Sequence, residues 1–314
     1  MSMVLNSQKE SMDKESSMDL PSVSIIVPVY NGERFIGKCI ESLLALDYPE
    51  NNREIIIVDN NSKDRTSEIA KKYPVRYLFE RKQGPCCARN TGIGNAAFPL
   101  IAFTDSDCLA DKSWIKELVK AFQKKAVGGC GGHLEPVQPT TVIEEYVIYK
   151  EILSQERALR DEAISPPFLL TANAMYRKKI LEEAEGFDEE IPVGEDADLS
   201  WRVRWKGYSL EYEPRAIVYH HHRSTLWGLL RQIRSYGAGT SYLFRKHHGK
   251  LGYETFFNKH PYLEMFTSLF RIPFHLLFGK GRLQKVLPML EFLGAVFFLT
   301  GKIQTSLKLR IRFF

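Results

Sequence analysis

Over the first 130 positions the apolar residues alternate between short continuous runs and runs spaced three and four apart. Val23 to Val29, "VSIIVPV", is a continuous β-rich run and predicts a buried strand. In "NGERFIGKCIESLLAL", Phe35, Ile36, Ile40, Leu43 and Leu44 recur at helical spacing. Glu54 to Val58 predicts a second buried strand, ending in the polar turn Asp59 to Ser62. A charged helix around Asp64 to Lys72 leads to the strand "VRYLFE", and "GPCCARNTGIGNA" starts a helix with Gly84 and Pro85 at its head. Leu100 to Phe103 predicts a strand that runs into two carboxylates, Asp105 and Asp107. The segment "SWIKELVKAF" then predicts a helix with Ser113 placed to cap it.

Strands alternating with helices predict βαβ units and a mostly parallel sheet, in which ligands bind at the carboxyl ends of the strands. The turns at Asp59 and Asp105 should therefore face one crevice. Past Gly128 the alternation fades. Val142 to Leu159 reads as helical, "FLLTANAMYRKKILEEAEGFDE" holds a strand, a short helix and a turn, and "GEDADLSWRVRWKGY" is a helix with acids at its N-terminus. "SLEYEPRAIVYHHHR" is strand-like, with Val218, His220 and His222 on one face.

The last third changes character. "YLEMFTSLFRIPFHLLF" and "VLPMLEFLGAVFFLT" are strongly apolar, but each falls short of the roughly 20 residues a membrane span needs, and each holds a Pro and a Glu. From Arg245 to Phe314 there are 12 Lys+Arg against 3 Asp+Glu, so this segment is +9 while the preceding 244 residues are −4. The basic ending "KIQTSLKLRIRFF" suits an anionic lipid surface, and an interfacial or re-entrant anchor fits better than a span. A nucleic-acid partner is disfavoured, because the basic excess lies in an apolar tail. Cys39, Cys86, Cys87, Cys108 and Cys130 lack Cys-x-x-Cys spacing, so a reducing setting is expected. Residues 1–20 have no apolar signal core and read as a disordered lead-in.

Three clusters carry candidate chemistry. Asp105 and Asp107 alone read as a solvated turn, but their place after a core strand in a βαβ series favours holding Mg²⁺ or Mn²⁺. Glu195 and Asp196, with Asp198 behind them, are either acids at a helix N-terminus or a general base for a hydroxyl. His220 to His222 are either surface or metal ligands.

The order "VSIIVPVYNGE", "EIIIVDNNSKD", "GPCCARNTGI", "AFTDSD", "ANAMYRKKILEEAEGFDE" and "GEDADLSWRVRWKGY" resembles glycosyltransferase family 2, from about Val23 to Arg223. That resemblance implies a GT-A fold: an α/β, Rossmann-like, mostly parallel sheet flanked by helices. It implies an enzyme that moves a sugar from a nucleotide-diphosphate donor to an acceptor hydroxyl by single displacement with inversion. Pro28 and Tyr30 would border the nucleotide, and Asp59 and Asn60 would read the base. Many relatives have a second Asp where this chain has Asn60, which leaves the base open. Arg89 would lie near the diphosphate, and Asp105 and Glu195 would also bind the nucleotide sugar. Asp107, with Asp105, would hold the metal, joined by His220 or His222, and Asp196 would be the catalytic base. "WRVRW" lacks the Gln of the processive synthases, which implies a single transfer. The expected organisation is a lead-in over 1–20, a glycosyltransferase domain over 21–223, and a helical membrane-associating extension over 224–314. Its partners would be a nucleotide-diphosphate sugar and a lipid-linked or glycan acceptor, met at the cytoplasmic face of a membrane. Two other classes remain: a nucleotidyltransferase, for which "PVYNGERF" is the wrong loop, and a non-catalytic membrane scaffold, against which the intact "DSD" and "GED" argue.

Overall fold

The four apolar runs at the start of the chain become the parallel half of one eight-stranded sheet. A computed structural model describes residues 20–160, 166–251 and 259–313, so the expected lead-in lies outside the described residues except for Leu20. Strands β1 (Val23–Val29), β2 (Arg53–Asp59), β3 (Arg76–Phe79) and β4 (Leu100–Thr104) pair in parallel, in the order β3-β2-β1-β4. Helices α1 (Ile36–Leu44), α2 (Thr66–Ala70) and α3 (Pro85–Asn95) are the crossovers between them. Alternation along the strands divides the core in two. Ile25, Val27 and Ile57 pack with Ile40 and Leu43 of α1, while Ile26, Ile56, Val58 and Phe103 pack with Ala88 and Ile93 of α3. A strand buried on both faces reads as a continuous apolar run, which is why β1, β2 and β4 were legible, whereas β3 is a half-exposed edge strand.

Beyond β4 the sheet is mixed rather than a continuation of the parallel pattern. It goes on through β7 (Asn173–Arg177), β6 (Val127–Pro136), β8 (Ser209–His220) and β5 (Cys108–Ala110). β7 is antiparallel to both β4 and β6, β6 runs parallel to β8, and β5 pairs antiparallel to β8. Strand β6, "VGGCGGHLEP", carries four glycines and gives no β signal in sequence. At Gly132 the reason is spatial: a Cβ there would stand 2.2 Å from the Ala216 carbonyl oxygen.

Two local expectations are corrected. The helix expected over Val142 to Leu159 is two, α5 (Val142–Tyr149) and α6 (Gln155–Leu159), separated at Glu151, whose left-handed φ of 49° a helix cannot continue through. Ser113 precedes α4 (Trp114–Ala121) without capping it, because its hydroxyl is turned to the Asp111 carboxylate.

The remaining helices are α7 (Lys178–Glu183), α8 (Glu195–Trp205), α9 (Leu226–Leu251), α10 (His260–Phe278) and α11 (Arg282–Leu309). The first apolar run of the tail thus makes up nearly all of α10, and the second is the middle of the longer α11. α11 is long and apolar enough to cross a membrane, yet half of its apolar window is buried in the protein. It crosses α9 with backbones touching: a Cβ on Gly237 would meet the Phe298 carbonyl oxygen at 2.0 Å, and one on Gly301 would meet that of Arg234 at 2.0 Å. The chain end turns back, with Phe313 stacked on Phe244 at 4.2 Å between ring centroids.

Candidate active site

The floor of the site is set by the ends of β2 and β1. Asp59 is the last residue of β2 and is buried. Its carboxylate accepts from the Ser62 backbone N–H at 2.9 Å and from the Tyr77 hydroxyl at 2.7 Å, so it braces the turn from below. Asn60 stands above it. Its amide donates to the Lys82 carbonyl at 2.7 Å and accepts from the Gly84 N–H at 2.7 Å, which pins the loop entering α3. Asn60 then lines a cleft of about 370 Å³ with Pro28, Tyr30, Arg89, Asp105 and Asp107. The crevice expected from the two turns exists, but Asn60 rather than Asp59 faces it.

Strand pairing brings the histidines to the acid pair. β5 starts directly after Asp107 and pairs Cys108 with His220, and the His221 N–H donates to the Asp107 carbonyl at 3.1 Å. His220 Nε2 consequently lies 3.6 Å from Asp107 Oδ1, and Arg223 Nη1 lies 3.8 Å from Asp107 Oδ2. Asp107, Cys108 and His220 each offer a ligand atom within 4.8 Å of the others. Burial pushes the Asp107 carboxyl up, opposed by His220 and reinforced by the Asp105 charge. A divalent cation fits there, since it would offset the buried Asp107 carboxylate, whose charge Asp105 disfavours. Carboxylate oxygen and imidazole nitrogen suit Mn²⁺ or Mg²⁺. Burial, followed by the Asp107 and Asp105 charges, raises the Cys108 thiol. His222 takes a different place from His220. Its Nδ1 lies 3.2 Å from His220 Nδ1, and burial followed by the His220 charge lowers its pKa to about 4. It is a neutral partner that orients His220 from behind.

The second acidic centre is built by a turn. Gly194, with φ 93°, is the N-cap of α8 and swings the chain so that Glu195 and Asp196 occupy the first helical turn. Asp196 accepts from the Thr171 hydroxyl at 2.7 Å and from the Thr171 N–H at 3.1 Å. Burial and the Glu195 charge raise its pKa to about 7, against the pull of Arg89 and the Thr171 hydrogen bonds. Arg89 bridges the two centres: its guanidinium donates to Glu195 at 2.8 Å and to Asp105 at 3.2 Å. Burial works against this cation, but Asp105, Asp196 and Glu195 outweigh it and hold it charged. Its Nε has no hydrogen-bond partner among the described residues.

A larger cavity, about 850 Å³, opens on the Asp196 side. It shares Arg89, Asp105, Asp107 and Arg223 with the smaller cleft, so two chambers meet at the acid pair. Its far wall is α9, through Gln232, Tyr236 and Thr240, so the cavity straddles the domain boundary expected after Arg223. Sequence reading missed this wall, along with Thr171 and Arg223. Their roles come from sequence-distant neighbours, and only the apolar, small-residue character of α9 hinted at a packed position.

Asp198 faces away from both chambers. It is fully buried and accepts from Arg202, Lys246 and His247, and Arg202 also donates to the Ala184 and Gly186 carbonyls. The arginines of "WRVRW" thus do not reach the site through Arg202.

Comparison with known proteins gives the family and the fold. Residues 24–184 match the family model described as glycosyl transferase family 2. The chain is 30% identical over 209 residues to the glycosyltransferase AglE of Haloferax volcanii, covering 64% of this chain and 67% of that one. It is 26% identical over 238 residues, 71% of this chain and 74% of the relative, to a Methanococcus voltae dolichyl N-acetyl-alpha-D-glucosaminyl phosphate 3-beta-D-2,3-diacetamido-2,3-dideoxy-beta-D-glucuronosyltransferase. Among solved structures, the mannosyltransferase PcManGT from Pyrobaculum calidifontis, in complex with GDP-Man and Mn²⁺, superposes with a TM-score of 0.65. It is 17% identical and the match covers 93% of this chain and 88% of that one, a likeness of fold.

Proposed function

Because the chain belongs to glycosyltransferase family 2 and has the GT-A fold, we propose that it transfers a sugar from a nucleotide-diphosphate donor to an acceptor hydroxyl by single displacement with inversion. The observation that carries this reading is the meeting of two chambers at Asp105 and Asp107, with Asp196 on the far side of that junction. The smaller chamber takes the nucleotide, against Pro28, Tyr30 and Asn60, with Asp59 bracing the turn beneath. The larger takes the acceptor.

Asp107 and His220, with Asp105 nearby, would hold Mn²⁺ or Mg²⁺, which when bound supplies Lewis acidity to a leaving diphosphate. Arg89 fixes the spacing between Asp105 and Glu195 and offsets their charge. Asp196, oriented by Thr171, takes the proton from the acceptor hydroxyl. A carboxylate with a pKa near 7 is matched to that task at neutral pH. Residues 21–223 form the transferase domain, and residues 224–314 complete the acceptor side through α9. The dolichyl phosphate in the name of the Methanococcus relative supports a lipid-linked acceptor, and in this reading it is met at the cytoplasmic face of a membrane.

The test is a panel of nucleotide-diphosphate sugars with added Mn²⁺, followed by NMR assignment of the anomeric product. Metal-stimulated turnover with one donor and inverted configuration is expected. Retained configuration overturns the inverting mechanism, and turnover unaffected by chelation removes the metal.

A further inference from the structure

We propose that α10 (His260–Phe278) is the face by which the protein seats on an anionic lipid bilayer, lying in the interface rather than crossing it. The helix is inside out. Leu263, Phe266, Phe270, Phe274 and Leu277 recur at spacings of three and four along one exposed stripe, with Phe270 79% and Leu277 76% exposed. Some of its polar groups are drawn toward the protein instead, although Thr267 and Arg271 stay exposed. Glu264 pairs with Lys150 at 2.7 Å, Arg271 pairs with the buried Glu291 of α11 at 3.2 Å, and Ser268 is buried. A helix packed on a water-soluble domain shows the reverse arrangement.

The size of the patch makes the same point. Eight large apolar side chains of α10 are between 44% and 79% exposed. At roughly 200 Å² for a fully exposed side chain, they leave on the order of 900 Å² of apolar surface on this one helix. The largest patch on a typical monomer is about 300–600 Å².

Charge selects the occupant. Lys259, Lys280, Arg282 and Lys285 are exposed at the two ends of α10, and the one acid between residues 259 and 285, Glu264, is held inward by Lys150. An anionic headgroup layer complements that rim. A second copy of the chain related by two-fold symmetry would bring like charges together. A crossing is disfavoured on both helices. α10 has 19 residues with Pro273 inside, and α11 keeps Glu291 and Lys302 buried on protein-facing sides. The basic chain end is partly committed elsewhere, since Phe313 is stacked on Phe244.

This inference rests on the reading of a membrane-borne acceptor, but its test is separate from catalysis. The full chain is floated with vesicles of phosphatidylcholine, with and without phosphatidylglycerol, as wild type and as the double variant F270E/L277E. Wild type should float with anionic vesicles and be released by alkaline carbonate, and the variant should lose roughly tenfold in vesicle affinity. Circular dichroism and Mn²⁺-dependent hydrolysis of a nucleotide sugar in solution should be unchanged in the variant. Equal flotation of both proteins overturns the proposal, as does resistance to carbonate extraction. So does a wild-type dimer that the variant converts to monomer without any vesicle binding. Loss of hydrolysis in both proteins, with vesicle binding intact, would count against the proposed function and leave α10 assigned.

Discussion

His247 Nε2 lies 2.7 Å from a carboxylate oxygen of Asp198, joining α9 to α8 on the side of α8 opposite Asp196. The imidazole packs against Trp201 and Trp205, with ring centroids 5.7 and 5.0 Å away. Lys246, one residue earlier, reaches the same Asp198 oxygen at 2.7 Å. This cluster fixes the angle between the helix that carries Glu195 and Asp196 and the helix that walls the larger cavity.

Asp198→Ala strands the buried charges of Arg202 and its neighbours. It should cost about 3–5 kcal/mol of stability, read from urea denaturation. Burial alone would raise the Asp198 carboxyl, but the His247 hydrogen bond and Arg202 hold it far below its ordinary value. Its contribution is therefore present above about pH 4 and lost as pH falls further. The wild type should weaken steeply below that pH, and the variant should not show the same loss. His247→Ala, a milder change, should raise acceptor KM more than it lowers kcat, because it loosens the wall and leaves the acids in place.

Asp196→Asn removes the proposed base while keeping one acceptor oxygen for Thr171. Turnover should fall about 10²–10⁴-fold, with donor binding, followed by thermal shift, little changed. In the wild type, kcat should rise with pH and level off above about 7, as the raised carboxyl ionises. The folded state binds that proton more tightly than the unfolded state, so this group's contribution to stability declines between about pH 4 and pH 7. Asn at 196 should abolish the decline. Near-normal turnover in the variant would sink the assignment.

Arg89→Ala leaves Asp105 and Glu195 without their shared cation. Asp196 should then ionise at higher pH, moving the acid limb of the rate profile upward, and kcat/KM should fall by about 10²-fold at pH 7. Arg89→Lys keeps the charge but loses the fork that reaches both acids, so it should recover the pH profile better than the rate.

His220→Ala and His222→Ala separate a ligand from its support. Mn²⁺ affinity, measured by calorimetry, should drop strongly in the first. In the second it should drop by about 10–100-fold or less, the range for residues that orient a ligand. Equal and negligible effects would place the metal away from His220.

Much of the site was legible where chemistry is local in sequence. Asp105 and Asp107 follow a strand buried on both faces, and such a strand announces itself as a continuous apolar run. Gly194, Glu195 and Asp196 combine a left-handed turn with helix-terminal acids, which sequence order also displays. Of the two turn residues the sequence pointed to, Asn60 lines the cleft, while the Tyr77 hydroxyl holds Asp59 beneath it. His222 sat on the expected side of the strand, but the chain leaves β8 after His220, so alternation no longer set its direction.

The sequence by itself determined the parallel half of the sheet, the family and the positions of its acids, because each depends on contacts within a few residues or on fixed strand periodicity. Tertiary structure alone decided that Arg89 spans 106 positions to reach Glu195, that α9 closes the larger cavity, and that the glycines of β6 make a strand. The same holds for the apolar stripe of α10. Its pattern is that of an ordinary amphipathic helix, and sequence cannot say which face meets the protein. Lys150 and Glu291, pairing with Glu264 and Arg271, made that choice.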